Sequence, residues 1–324
     1  MTDLSRRSLL GAAAVTAAAA GAVQAQTIAP ADPTEVVHLW PNGAPGGENV
    51  TVTAIVPERS TDPSFHDRYA QYTTDPILTV LRPERPNGAA LLLIPGGGYR
   101  WAVLDKEGFD VARVFAAAGV TCFVLRYRLP ADGWAAGPNA PLQDAQRALR
   151  LIRAKAADYG VDPARIASLG ASAGGHLAGL LASRSDTTYA PVDASDTASH
   201  RPDLNILLYP VVTLADPFAH KGSREHLLGV SATPEQIAEW SLDRKDWTGA
   251  APTVLIHALD DASVPPENSL QLLTALRTGG VTSEAHLFQE GGHGFGIRLI
   301  AGKPAEVWPQ LALAFGRRNG WLTA

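Results

Sequence analysis

The chain has 324 residues, 46% of them hydrophobic and 18% charged, enough apolar material for a large buried core; this excludes intrinsic disorder as the main state. Its 27 basic and 32 acidic side chains leave a formal net charge of −5, with no stretch that clusters Lys and Arg, which argues against nucleic-acid binding. The single cysteine, Cys122, excludes an internal disulfide and a cysteine zinc site, and its apolar neighbours over 120–125 mark it as a small buried strand residue.

Residues 1–25 stand apart. Ser5-Arg6-Arg7-Ser8-Leu9-Leu10 precedes an uncharged, alanine-rich run over 9–23, and Val23-Gln24-Ala25 puts small residues where a signal peptidase reads. This pattern predicts a twin-arginine export signal cut after Ala25, a need for the twin-arginine export machinery, and a periplasmic or secreted mature protein. The run is too short and too rich in alanine for a membrane span, so no stable membrane insertion is expected after cleavage.

Residues 26–324 read as a single domain. A Pro-, Gly- and Ala-rich stretch over 26–49 predicts an extended lead-in arm, and the β-branched run 50–56 predicts a strand stopped by Pro57. Further strands are expected at 77–81 and at 89–94, the latter a continuous apolar run suited to burial on both faces. From there the pattern alternates. Helices are expected at 108–118, 141–159, 173–183, 266–278 and 305–318. Strands are expected at 120–127, 165–170, 204–209, 253–259 and 283–288. Strands alternating with helices predict an α/β fold, a mostly parallel central sheet with helices on both faces. The stretch 211–250 breaks the alternation and reads as loops and short helices forming a small cap region.

The chemistry-bearing residues fall at the ends of these strands. Gly170-Ala171-Ser172-Ala173-Gly174 matches G-x-S-x-G between a strand and a helix, where a sharp turn lifts a serine oxygen out of the sheet edge. A serine hydroxyl is a poor nucleophile without a base. His293, in Gly291-Gly292-His293-Gly294-Phe295-Gly296, has a glycine-rich loop that carries its imidazole to the serine. His176 reads as a packing or hydrogen-bonding residue and His257 as buried, His286 lies in a strand, and His220 and His226 fall in the irregular cap. The acid that orients the imidazole should follow a late strand, where Asp260 and Asp261 compete. The D-x-x-V-P spacing to Val264-Pro265 selects Asp261 and leaves Asp260 as a neighbouring structural carboxylate. Pro95-Gly96-Gly97-Gly98-Tyr99 lacks the Lys-Ser/Thr of a phosphate loop. Its flexible backbone predicts an oxyanion hole made by the N–H of Gly97 or Gly98 together with that of Ala173.

These pieces together resemble the α/β-hydrolase superfamily, whose Ser-Asp-His chain order matches Ser172, Asp261, His293. More narrowly the chain is similar to the bacterial acetylxylan esterase and feruloyl-esterase-like (BD-FAE-like) group. The matching segments are 95–99, Lys106-Glu107-Gly108, 124–130, 170–176, Tyr209-Pro210, 257–265, Asn268-Ser269 and 291–296. Pro95 stands where lipase relatives carry histidine. The resemblance implies an α/β-hydrolase fold and a serine esterase removing acetyl groups from xylan or xylo-oligosaccharides, with no cofactor and no metal. The alternatives are a feruloyl esterase or a general short-chain carboxylesterase, and more remotely a peptidase or a non-catalytic carbohydrate-binding relative. Tyr99 and Trp101, beside the oxyanion loop, are expected at the substrate, and Trp134, Trp240 and Trp247 near its rim. Glu107 and Arg128 are expected to brace the loops.

Overall fold

The computed structural model describes residues 29–323. The export signal expected over 1–25 lies outside them. Eight strands form the main sheet: β1 (Val36–His38), β3 (Ile77–Leu81), β4 (Ala90–Ile94), β6 (Thr121–Arg126), β7 (Ile166–Ala171), β8 (Leu204–Leu208), β9 (Thr253–Ala258) and β10 (Ser283–Phe288). They lie in the order β1-β3-β6-β4-β7-β8-β9-β10. The pairs β1–β3 and β3–β6 are antiparallel, and the pairs from β6 through β10 are parallel. Two-residue strands β2 (Tyr69–Ala70) and β5 (Ala102–Val103) pair separately.

The continuous apolar runs account for the sheet centre. Every residue of β4, β7, β8 and β9 is buried, as a strand covered on both faces requires, whereas the edge strand β10 is half-buried throughout. The covering helices are α1 (Asp110–Ala117), α2 (Ala140–Ala154), α3 (Ala173–Ser183), α6 (Glu267–Thr278) and α7 (Trp308–Arg318). Helix α3 packs on β7 and β8, α2 on α3, and α1 on β6. The stretch 211–250 holds α4 (Lys221–Leu228) and α5 (Pro234–Trp240). The helix expected over 141–159 breaks at Lys155, and a tighter turn over Ala156–Tyr159 ends on left-handed Gly160.

The strand expected over 50–56 is absent. That segment makes only an isolated bridge, Ile55 to Gln71, and Ile55 and Val56 remain 40% and 43% exposed. β-branched residues favour a strand where a sheet face is there to receive them, and here none is. Conversely β1, inside the lead-in arm, pairs with β3 although its three residues are too few to produce a periodic signal.

One buried ion pair ties the arm to the helical layer. The Arg128 guanidinium lies 2.8 Å from the Asp144 carboxylate with both side chains fully buried. Arg128 also donates to the carbonyls of Pro45 and Ala140, and Trp40 Nε1 donates to Asp144 at 2.7 Å. The Trp40 and Trp134 rings flank the cation. Arg128 thus braces the lead-in arm, and this role takes Trp134 away from any substrate. Removing one partner of a buried pair strands the other charge, at a cost of about 3–5 kcal/mol. Arg128→Met should therefore lower the unfolding free energy by about that much in urea titration. An unchanged midpoint would contradict this account of the packing.

Candidate active site

All the chemistry-bearing residues sit at the carboxyl ends of parallel strands, the edge where doubly wound sheets place ligands. Ser172 follows β7 and caps α3 with a backbone at φ 54°, ψ −121°. This conformation costs a β-carbon-bearing residue on the order of 1–3 kcal/mol and persists only where neighbours enforce it. The Ser172 N–H donates to the Leu208 carbonyl at 3.0 Å, and its own carbonyl accepts from the N–H groups of His176 and Val211. The flanking glycines are steric requirements. A β-carbon on Gly174 would lie 2.1 Å from the Ile94 oxygen, and one on Gly170 would lie 2.2 Å from the Gly174 oxygen.

The three residues separated in sequence meet here. Ser172 Oγ lies 2.9 Å from His293 Nε2, and His293 Nδ1 lies 2.7 Å from Asp261 Oδ2. Asp261 Oδ1 accepts from the N–H groups of Ser263 and Val264, both at 2.9 Å, and Oδ2 lies 3.3 Å from His257 Nε2. Burial would push the Asp261 carboxyl up. The hydrogen bonds from His257 and His293, the charge His293 can carry, and the Val264 N–H outweigh it and hold the group well below the usual carboxylate range. An ionised Asp261 accepts only, so His293 Nδ1 carries the proton and Nε2 presents its lone pair to the serine. Asp260 does something else: its Oδ1 accepts from the N–H groups of Gly291 and Gly292, at 2.9 and 2.8 Å, and pins the start of the histidine loop.

Glu107 ties that loop to the glycine loop after β4. Its buried carboxylate accepts from the Gly96 N–H at 2.8 Å and the Tyr209 O–H at 3.2 Å, while Tyr209 Oη accepts from the Gly296 N–H at 3.1 Å. Gly97 and Gly98 follow with φ of 126° and 64°, and among the described residues neither N–H donates to a protein acceptor. Ala173 opens α3, where a helix leaves its first amides without internal partners. Gly97, Gly98, Ser172 and His293 line one cleft of about 340 Å³. A larger hollow of about 710 Å³, beside Trp247 and Lys245, contains none of these groups, so size does not mark the reactive place.

The expected substrate aromatics divide. Trp101 lines the cleft, between Arg100 and a tilted Tyr69 ring. Tyr99 does not reach it: the side chain is fully buried and its O–H meets His176 Nδ1 at 2.7 Å. Trp240 and Trp247 are buried too, and Trp247 Nε1 donates to the Leu242 carbonyl. These tryptophans pack segment 211–250 onto the core instead of rimming the cleft. The structure also brings into the cleft His220, which chain position alone had left in the cap. Neither its N-capping place three residues before Ser223 nor the strand edge it faces is legible in sequence, because histidine is not a customary cap residue.

A model of the BD-FAE family matches residues 80–276. The chain belongs to the BD-FAE family. Among its relatives, an acetylxylan esterase of Xylanibacter ruminicola is 30% identical over 219 residues, 66% of this chain and 42% of that protein. Endo-1,4-beta-xylanase B of Butyrivibrio fibrisolvens is 33% identical over 207 residues, 64% of this chain and 32% of that one. The BD-FAE chain thus spans less than half the length of these two relatives. The solved acetyl ester-xyloside bifunctional hydrolase from Caldicellulosiruptor lactoaceticus is 31% identical, with a TM-score of 0.70 over 89% of this chain and 97% of that one. The sheet order and these likenesses make the fold that of an α/β-hydrolase.

His176 offers a pH test of how this BD-FAE site is supported. The Trp240 carbonyl only accepts, so His176 Nε2 donates to it, at 2.7 Å, and Nδ1 accepts from Tyr99. Burial pulls the imidazole down to about 4 from its ordinary 6.5. The unfolded chain therefore takes up the proton first as pH falls. The stabilisation is complete above about 6.5 and drains away toward about 4, in total about 3 kcal/mol. Urea midpoints of His176→Gln should fall less steeply over that window than those of the wild type. Parallel slopes would contradict a buried neutral imidazole.

Proposed function

We propose that this protein is a serine esterase that removes acetyl groups from xylan or xylo-oligosaccharides. The observation that carries the reading is the continuous Ser172–His293–Asp261 hydrogen-bond line beside unengaged glycine amides. His293 Nε2 takes the Ser172 proton as Oγ forms a bond to the acetyl carbonyl carbon. Negative charge collects on the carbonyl oxygen and is met by the N–H of Gly97 or Gly98 and that of Ala173. The tetrahedral adduct collapses, the carbon–oxygen bond to the sugar breaks, and the leaving oxygen takes the proton from His293. Water then repeats the sequence on the acetyl-serine and releases acetate. Asp261 stays ionised throughout and stabilises the imidazolium.

Support for the acetyl-sugar substrate comes from the relatives whose names carry acetylxylan esterase and acetyl ester-xyloside hydrolase activity. The half-exposed Trp101 ring at the cleft adds an aromatic surface suited to a sugar. We propose export by the twin-arginine route, on the strength of Arg6-Arg7 and the alanine-rich run that follows. Among the described residues no helix is long and apolar enough to cross a membrane.

Ser172→Ala should lower kcat by about 10⁶-fold on 4-nitrophenyl acetate, as triad nucleophile removals do. Full activity in that variant would remove the proposal. Asp261→Asn should lose about 10⁴-fold by presenting the wrong tautomer of His293, and Asp260→Asn far less, because it only loosens a loop. A larger loss at Asp260 would reverse the two assignments.

A further inference from the structure

His220 stands at the start of α4, and its Nδ1 caps that helix by accepting from the Ser223 N–H at 3.1 Å. Ser223 Oγ lies 2.8 Å from the same nitrogen. A backbone N–H can only donate, so Nδ1 holds the lone pair and the neutral ring carries its proton on Nε2. Among the described residues Nε2 has no protein partner, and it is not among the buried unpartnered polar atoms, so it is open to solvent on a ring that lines the cleft. The ring lies nearly parallel to His293, with centroids 6.5 Å apart and planes 13° apart, and its Cε1 is 3.8 Å from where a Gly98 β-carbon would be. Burial, with the His293 charge second, lowers its pKa, which keeps the ring neutral and Nε2 a donor.

A neutral N–H donor on a ring that shares the cleft with the serine, carried by 211–250, has no part in the steps above. Serine activation is complete with His293, and the glycine and helix amides serve the carbonyl oxygen. What remains without a hydrogen-bond partner is the alcohol half of the ester. We infer that His220 Nε2–H donates to an oxygen of that alcohol other than the ester oxygen. The site would thereby select polyhydroxylated alcohols, sugars above all, over simple alkyl or aryl esters. This inference rests on the esterase reading and adds a substrate contact to it. In this role His220 is a substrate-positioning residue carried by the segment between β8 and β9, so that segment takes part in specificity.

Two isosteric substitutions separate the donor from the cap. His220→Asn keeps a strong helix-capping side chain but is too short to reach the Nε2 position; His220→Gln reaches it and is a poor cap. Both are made in the full chain and assayed on acetylated xylo-oligosaccharides and on 4-nitrophenyl acetate, alongside thermal midpoints. His220→Asn should keep its midpoint yet lose roughly tenfold in kcat/KM on the oligosaccharide, about what one hydrogen bond is worth, with a smaller loss on the aryl ester. His220→Gln should show the lower midpoint and the higher oligosaccharide kcat/KM of the two. An oligosaccharide activity that follows the midpoint, with Asn as good as wild type, overturns the inference, as does an equal loss on both esters. A wild type inactive on both esters fails the esterase reading itself, and this inference with it.

Discussion

A carboxylate removed from water must be met by donors on its oxygens or it takes up a proton. Asp261 is met by two backbone amides from the turn that follows it and by two imidazoles, and it stays ionised inside the protein. That one charge settles the rest of the site. It fixes which nitrogen of His293 carries the proton, and so which nitrogen is free to take one from Ser172. The Val264-Pro265 turn is folded around the carboxylate rather than beside it. His257, buried in β9, holds the far side through its hydrogen bonds to Ser269 and the Val264 carbonyl.

The sheet delivers the other parts with little freedom left over. β4 and β7 are neighbours, so the glycine loop and the serine turn emerge side by side, close enough that only glycine fits at 174 and at 96. Glu107 then couples the glycine loop to the histidine loop through Tyr209, a buried link between the two. A second link runs from Tyr99 through the neutral His176 to the Trp240 carbonyl at the end of α5. The segment bearing His220 is thereby anchored to the loop that carries Gly97 and Gly98. Ser172, His293 and the segment bearing His220 thus share one hydrogen-bonded frame.

Much of this was legible in the sequence because the central parallel strands are mostly apolar and end in conformationally marked residues. Ser172 and Asp261 each follow such a strand, His293 follows the half-buried edge strand β10 in a glycine-rich loop, and Val264-Pro265 distinguished Asp261 from Asp260. What escaped depended on partners distant in the chain. The run 50–56 has strand composition but no sheet edge to join, and β1 has an edge but almost no length. Tyr99 and Trp101 are two residues apart, yet one turns inward to His176 and the other lines the cleft. The left-handed backbone at Gly97, Gly98 and Tyr99 decides that, and spacing does not report it. Trp134 was drawn inward by Arg128, whose buried charge left its flanking rings no surface role.

The central claim is that the ionised Asp261, and not Asp260, holds the proton of His293 on Nδ1. Low-field proton NMR of the free enzyme reads that proton directly, because a charge-assisted hydrogen bond deshields it strongly. A downfield imidazole resonance is expected that survives Asp260→Asn and disappears in Asp261→Asn. A resonance that survives Asp261→Asn and is lost in Asp260→Asn would contradict it.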